Sequence, residues 1–340
     1  MPYPRVNRSH IVPRAYLAAF AVDGMVGMRL VGEAESRLVS VRDAAVRTSY
    51  YRRTRPDGEE IDDVEWSLSV LENEAIPALR NVRESWPLST EEKAKLAQLF
   101  GYQLVRGPRW RDWYESATRK FVDDEVRDAP VPLRNDSGES TTTEEIESFE
   151  QQLLSSTARS TRMLSVGLKV ASLLGSMQWL LIEFQPPLLA TSDHPVVGWP
   201  LWERSRQPEP TPPEIGLFDT LEFRVPVSPY LAILMTWLDD EDLAEPVRGV
   251  KEVAANLNAF TVAEAERQWF HNPERVPPRA SGQLLPLSPR LLPGYGSGSV
   301  EASRRRQSIQ TKIHARIGED LEQNREIEIV TVTRHRTNDA

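Results

Sequence analysis

Apolar residues recur at helical spacing through much of the first half of the chain and gather in short strand-like runs in the second. Val64, Leu68, Leu71, Ala75 and Leu79 are spaced by three and four, which predicts a long helix over about residues 61–83. Ser89-Thr90-Glu91-Glu92 opens another, with a hydroxyl to cap it and acids in its first turn. That pattern runs to residue 126, and Gly107-Pro108 kinks or splits it, because proline lacks a donor and clashes with the preceding turn. A helix pair follows over 144–156 and 160–174. Residues 178–184, 188–190, 221–227 and 231–237 read as strands, and 253–270 as a helix.

The N-terminal stretch is shorter-grained. Residues 10–21 read as a short helix starting near Pro13, and Asp23-Gly24 ends it. Residues 25–31 and 37–41 alternate as a two-strand ribbon. Residues 41–51 fit neither period, and Tyr50-Tyr51 closes them against the core. Residues 127–143 form a polar exposed loop, and 198–219 a Pro-rich one. Residues 273–299, rich in Pro, Gly and Ser, read as a linker. Beyond it, Ile309, Ile313, Ile317 and Leu321 make a four-residue stripe, and 327–332 a terminal strand. The expected fold class is α+β: a mostly helical N-terminal half packed on a small, largely antiparallel sheet, with a C-terminal helix–strand appendage. The expected division is one α+β domain over 1–272, the linker over 273–299 and the appendage over 300–340, where the chain has a surface for self-association.

Composition narrows the function classes. The formal net charge is -9 and the sequence pI about 5.3, which argues against a dedicated duplex-DNA binder with a basic face. There are no cysteines, so disulfides, thiolate nucleophiles and cysteine-ligated metals are excluded. No run of about 18 apolar residues appears, and the N-terminus has no signal-peptide core. A cytoplasmic protein that does not enter a membrane is the expectation.

The opening Asn7-Arg8-Ser9-His10-Ile11-Val12-Pro13-Arg14-Ala15-Tyr16-Leu17-Ala18-Ala19-Phe20 resembles the entry signature of a bacterial family known as domain of unknown function 4238, roughly His-x-Val-Pro-x-x-Tyr-Leu-x-x-Phe. Later stretches fit the same family in order. They are 41–51, Glu65 to Glu72 with its two glutamates a heptad apart, Gln103-Leu104-Val105-Arg106-Gly107-Pro108, Thr191-Ser192-Asp193-His194-Pro195-Val196, Val225-Pro226-Val227-Ser228-Pro229, and 258–267. The resemblance covers residues 1 to about 275. Where the family often has Asn, this chain has His194, which implies a hydrogen-bonding side chain at that position rather than a titrating base.

Five residues carry candidate chemistry. His10, just before a helix start, reads as a base or metal ligand, or as a residue that bonds a nearby carbonyl or carboxylate and fixes the helix entry. Asp193 follows a predicted strand and reads as catalytic, or as the closer of a turn. Its neighbour His194 is held extended by Pro195, so the two side chains point to opposite faces. Gln103 and Arg106 share a helix face and read as an anion-binding pair, or as part of an internal ion pair of Arg106 with Glu72 or Asp193. Glu72 is a candidate ligand for a hard divalent metal such as Mg or Mn. Trp110 and Trp113, beside Arg109 and Arg111, read as core and rim packing more readily than as a base-stacking platform. Two functional readings follow. One is a hydrolase acting on a phosphate-bearing or otherwise anionic small molecule, with catalytic His10 and Asp193, and Gln103 and Arg106 binding substrate. The other is a non-catalytic binding or interaction module, of the kind found in stress or phage-defence systems, with the same residues as a structural polar network.

Overall fold

The computed structural model describes residues 5–55, 57–128, 140–200, 220–237, 242–281, 284 and 287. The chain divides into two units, 1–286 and 287–340, and every element below belongs to the first. The helix and strand expected within 300–340 lie outside the described residues, as do most of the 127–143 and 198–219 loops and the 288–299 part of the linker.

The fold is α+β. A short helix α1 (Arg14–Leu17) runs into one 3-10 turn, Ala18–Phe20. The long helices are α2 (Asp63–Arg80), α3 (Thr90–Val105), α4 (Pro108–Val122), α5 (Thr143–Leu154) and α6 (Ser156–Ser176), and α7 (Lys251–Ala263) follows later. Helix α2 buries Val64, Leu68, Ala75 and Leu79 from the expected stripe. Helix α3 starts in a capping box, in which Ser89 Oγ accepts from the Glu92 N–H and Glu92 accepts from the Ser89 N–H. Its close contact with α6 requires small residues, since a Cβ on Gly101 would stand 2.7 Å from the Gly167 carbonyl oxygen. The expected split falls where predicted: α3 ends at Val105, Gly107 is extended, and α4 begins on Pro108.

The strands form two sheets. One contains β7 (Gln178–Glu183), β9 (Val197–Pro200), β10 (Thr220–Ser228), β11 (Leu231–Thr236) and β12 (Val247–Arg248), in the order β12-β7-β11-β10-β9. All its pairs are antiparallel except β12 with β7. The other contains β2 (Met25–Leu30), β3 (Arg37–Ser40), β8 (Ala190–Ser192) and β13 (Gln268–His271), in the antiparallel order β3-β2-β13-β8. Two ribbons complete it, β1 (Arg8–His10) with β4 (Val46–Thr48), and β5 (Arg53–Thr54) with β6 (Glu60–Ile61). Leu180, Leu181, Ile182, Ile233 and Leu234 are buried, which explains why β7 and β11 read as continuous apolar runs.

Side-chain hydrogen bonds join these parts. The buried Tyr16 hydroxyl reaches Thr191 Oγ1 at 2.8 Å on β8 and donates to the Pro226 carbonyl on β10. Asn258 Oδ1 accepts from the Ala190 N–H at 2.8 Å, and its Nδ2 donates to the carbonyls of Leu188 and Pro278, each at 2.7 Å.

Three expectations need correction. His10 lies in a strand outside the helix, which begins at Arg14, beside the Pro13 expected to start it. The strand expected at 188–190 sits at Ala190–Ser192, because its partner β13 fixes the register. The helix expected over 253–270 stops at Ala263, and Gln268–His271 is a strand. Two causes combine there. Asp193 takes the backbone donors of residues 266–268, which a continuing helix would bond internally. The aromatic Trp269 and Phe270 then pair with β2 and β8.

Candidate functional site

The end of α3 presents Arg106, 2% exposed, to a closed set of partners. Its Nη1 donates to Glu72 Oε1 at 2.7 Å, its Nε to the Tyr51 hydroxyl at 3.2 Å, and its Nη2 to the His10 carbonyl. Burial lowers its pKa, but Tyr51 and Glu72 more than offset this and raise it above the ordinary guanidinium value. The His10 ring has Nε2 3.2 Å from the Arg42 carbonyl oxygen. Burial holds its pKa below the ordinary 6.5, against that carbonyl and Glu72. His10, Glu65 and Glu72 line a recess of about 180 Å³. Gln103 is 4% exposed, and neither of its amide atoms has a partner among the described residues. It lines neither this recess nor the larger cavity described below.

Asp193 is held by a different set of partners. Oδ1 accepts from the Glu266 N–H at 2.9 Å, and Oδ2 from Arg267 at 2.9 Å and Gln268 at 3.0 Å. Its own N–H donates to the Gln268 carbonyl at 3.0 Å. Burial raises its pKa above the ordinary value, against the three backbone donors that favour the carboxylate. The structure therefore brings His10, Glu72 and Arg106 together and ties Asp193 to the turn between α7 and β13. Among the described residues, no three His, Asp or Glu side chains are grouped to hold a metal ion, and Glu72 is paired with Arg106.

That turn forms one wall of a cavity of about 840 Å³, built also by the start of α4, Arg47 of β4, His194, and Phe223 of β10. Glu266 Oε1 accepts from the Arg109 N–H at 3.0 Å, while Oε2 is buried without a partner. Only glycine at 107 permits this approach, since a Cβ there would lie 2.9 Å from Glu266 Oε1. Burial pushes the Glu266 carboxyl up to about 7, helped by the nearby Asp193 and opposed by the Arg109 N–H. His194 is 7% exposed, with an unpartnered Nδ1. Burial, with Arg109 nearby, lowers its pKa to about 3, so its ring is neutral at physiological pH. Trp110 and Trp113, three apart on α4, each carry an unpartnered indole N–H. Arg109 pairs with Glu264 at 2.6 Å. Arg47 also reaches this wall, and its guanidinium has no hydrogen bond or ion pair among the described residues.

A buried polar group left without a partner costs about 1–3 kcal/mol. Four such groups belong to residues around this one cavity: Glu266, His194, Trp110 and Trp113. Their grouping makes this cavity the candidate site. Of the residues singled out in the sequence, Asp193 shapes the wall of this cavity, and His194, Arg109, Trp110 and Trp113 line it. Glu266 and Arg47 were not anticipated as site residues. The signal available was the charged stretch Glu264-Ala265-Glu266-Arg267 ahead of the β-forming Gln268-Trp269-Phe270-His271. Read as a turn, it becomes a place where loops carry function.

The architecture defines an α+β protein with a cavity where a helix start meets a sheet, a class set by its fold rather than by a known chemistry. A family model described as "Protein of unknown function (DUF4238)" matches residues 8–275, and the chain belongs to that family. No curated protein and no solved structure matches it. Among the described residues, no helix is long and apolar enough to cross a membrane.

Proposed function

We propose that the chain is a hydrolase acting on a small phosphate-bearing or otherwise anionic substrate, held in the cavity bounded by Arg47, Arg109, His194 and Glu266. The observation that carries this reading is the unpaired guanidinium of Arg47 on the same wall as the free Oε2 of Glu266. An arginine with no carboxylate partner offers its planar fork to an oxyanion. Glu266, as carboxylate, takes a proton from the attacking water and, as acid, returns it to the leaving group. With a pKa near 7 it has both forms at hand. Neutral His194 orients by hydrogen bonding, and Asp193 acts by holding the turn that carries Glu266. The first test is thermal unfolding with inorganic phosphate, together with turnover of p-nitrophenyl phosphate. Wild type is expected to be stabilised by phosphate and Arg47→Met not, with turnover lost in Glu266→Gln. Equal, negligible phosphate effects on both proteins and no turnover overturn the reading.

A second reading, the non-catalytic binding module, is favoured by one observation. Arg106 has Glu72, Tyr51 and the His10 carbonyl as partners and presents no free fork. A polar network of this kind fixes a fold without chemistry. In that case phosphate stabilises wild type and no ester is turned over.

A further inference from the structure

The cavity is far larger than one oxyanion. Its volume of about 840 Å³ lies high in the range of about 300–1,000 Å³ that small-molecule sites span. Part of the wall is apolar or aromatic, from Leu104, Val105 and Phe223 with the two indoles. Of the two indoles on this wall, one packs on another ring and the other does not. Trp110 stacks on Tyr114 at 5.3 Å and 19°. Trp199 lies against Phe260 and under the Arg224 guanidinium, and Trp269 lies between Arg29 and Arg279. Among the described residues, Trp113 lines the cavity with no ring or cation on its face and no partner for its N–H. The same cavity is lined by an imidazole, His194, and a carboxyl, Glu266, each with an unsatisfied atom, which match the edge of a ring carrying nitrogen and oxygen. The acidic Glu264 on the same wall is already neutralised by Arg109, so Arg47 is left to meet an anion.

Building on the reading of the cavity as an anion site, we infer that its ligand is a heteroaromatic ring bearing a phosphate, in size and chemistry a nucleoside monophosphate. The ring stacks on Trp113, its polar edge meets His194 and Glu266, and its phosphate meets Arg47. Base–aromatic stacking of this kind is worth about tenfold or more in affinity.

The test is calorimetric titration of the full chain with three kinds of probe: inorganic phosphate, the four common ribonucleosides, and their 5′-monophosphates. At least one monophosphate is expected to bind ten or more times tighter than phosphate and than its own nucleoside. Trp113→Leu is expected to fall to the affinity for phosphate alone, while Trp113→Phe, which keeps an aromatic face, retains most of the margin. Equal losses in the leucine and phenylalanine variants overturn the stacking. If phosphate binds as tightly as every monophosphate, the anion site stands and the heteroaromatic ligand is wrong. If no probe binds, both fall.

Discussion

Replacing Glu266 by Gln removes one proton-binding group and preserves the shape of the wall, since the amide oxygen still accepts from the Arg109 N–H that Oε1 now engages at 3.0 Å. The carboxyl is pushed from the ordinary 4.5 up to about 7. A group that holds its proton more tightly when folded gives stability that is present below the unfolded value. That stability is lost as pH rises through the folded one. Each tenfold change in proton affinity is worth about 1.4 kcal/mol, so the whole displacement corresponds to about 3 kcal/mol. Solvent screening of this partly exposed side chain reduces the expectation to about 2 kcal/mol. The Glu266 contribution to wild-type stability therefore falls by about that much between pH 4.5 and 7, and Glu266→Gln lacks this term. The assay is urea unfolding followed by tryptophan fluorescence at several pH values. The quantity read is the midpoint of the variant minus that of wild type, so that groups common to both cancel. The variant should match or trail wild type near pH 4.5 and gain steadily to pH 8. A difference that stays flat across this range would falsify the raised carboxyl, and with it the acid–base role.

His194 runs in the opposite direction. Its pKa is lowered from 6.5 to about 3, so stability is lost as pH falls below about 6.5, by at most about 5 kcal/mol at full extent. His194→Asn, the residue the family resemblance expects there, should flatten the acid limb of the same urea profile. An unchanged acid limb refutes the buried neutral ring. Because the two groups oppose each other between pH 4.5 and 6.5, wild type alone shows a muted profile, and each single variant unmasks the other residue. Glu72→Ala leaves the buried Arg106 guanidinium without its carboxylate and is expected to cost about 3 kcal/mol at neutral pH. Thermal unfolding within about a degree of wild type refutes a structural role for that pair.

Much of the helical frame was legible because its signals are local. The stripe on α2, the capping box before α3 and the Gly107-Pro108 break depend on neighbours within a turn or two. The α7–β13 boundary was not, because it is set by a carboxylate seventy residues away in sequence. Glu266 to Gln268 leave the helix when Asp193 takes their N–H groups. The same nonlocality hid the cavity. Glu266 is an ordinary surface glutamate by composition, and it becomes distinctive only when Gly107 lets α4 approach it. Asp193 was read alternatively as closing a turn through its own backbone; its carboxylate instead bonds the N–H groups of a turn on another element.

The corner between α3 and α4 explains why a motif of six residues gives two different readings. Val105 ends one helix, and Arg106 turns inward to Glu72, Tyr51 and His10. Gly107 then extends the chain past Glu266, and Pro108 and Arg109 open the next helix at the cavity wall. The charged residue that draws the eye in sequence is thus on the inner side of the bend, where its donors are consumed. The backbone immediately after it faces the outer side, where a glutamate oxygen is left free. An arginine that holds this corner rigid by three bonds keeps the α4 start, and so Glu266, in one place. Preorganisation of that kind is what an acid–base group needs from its surroundings. On the proposed function, the inner network and the cavity are parts of one device, with the chemistry falling to the residues that keep unpaired atoms.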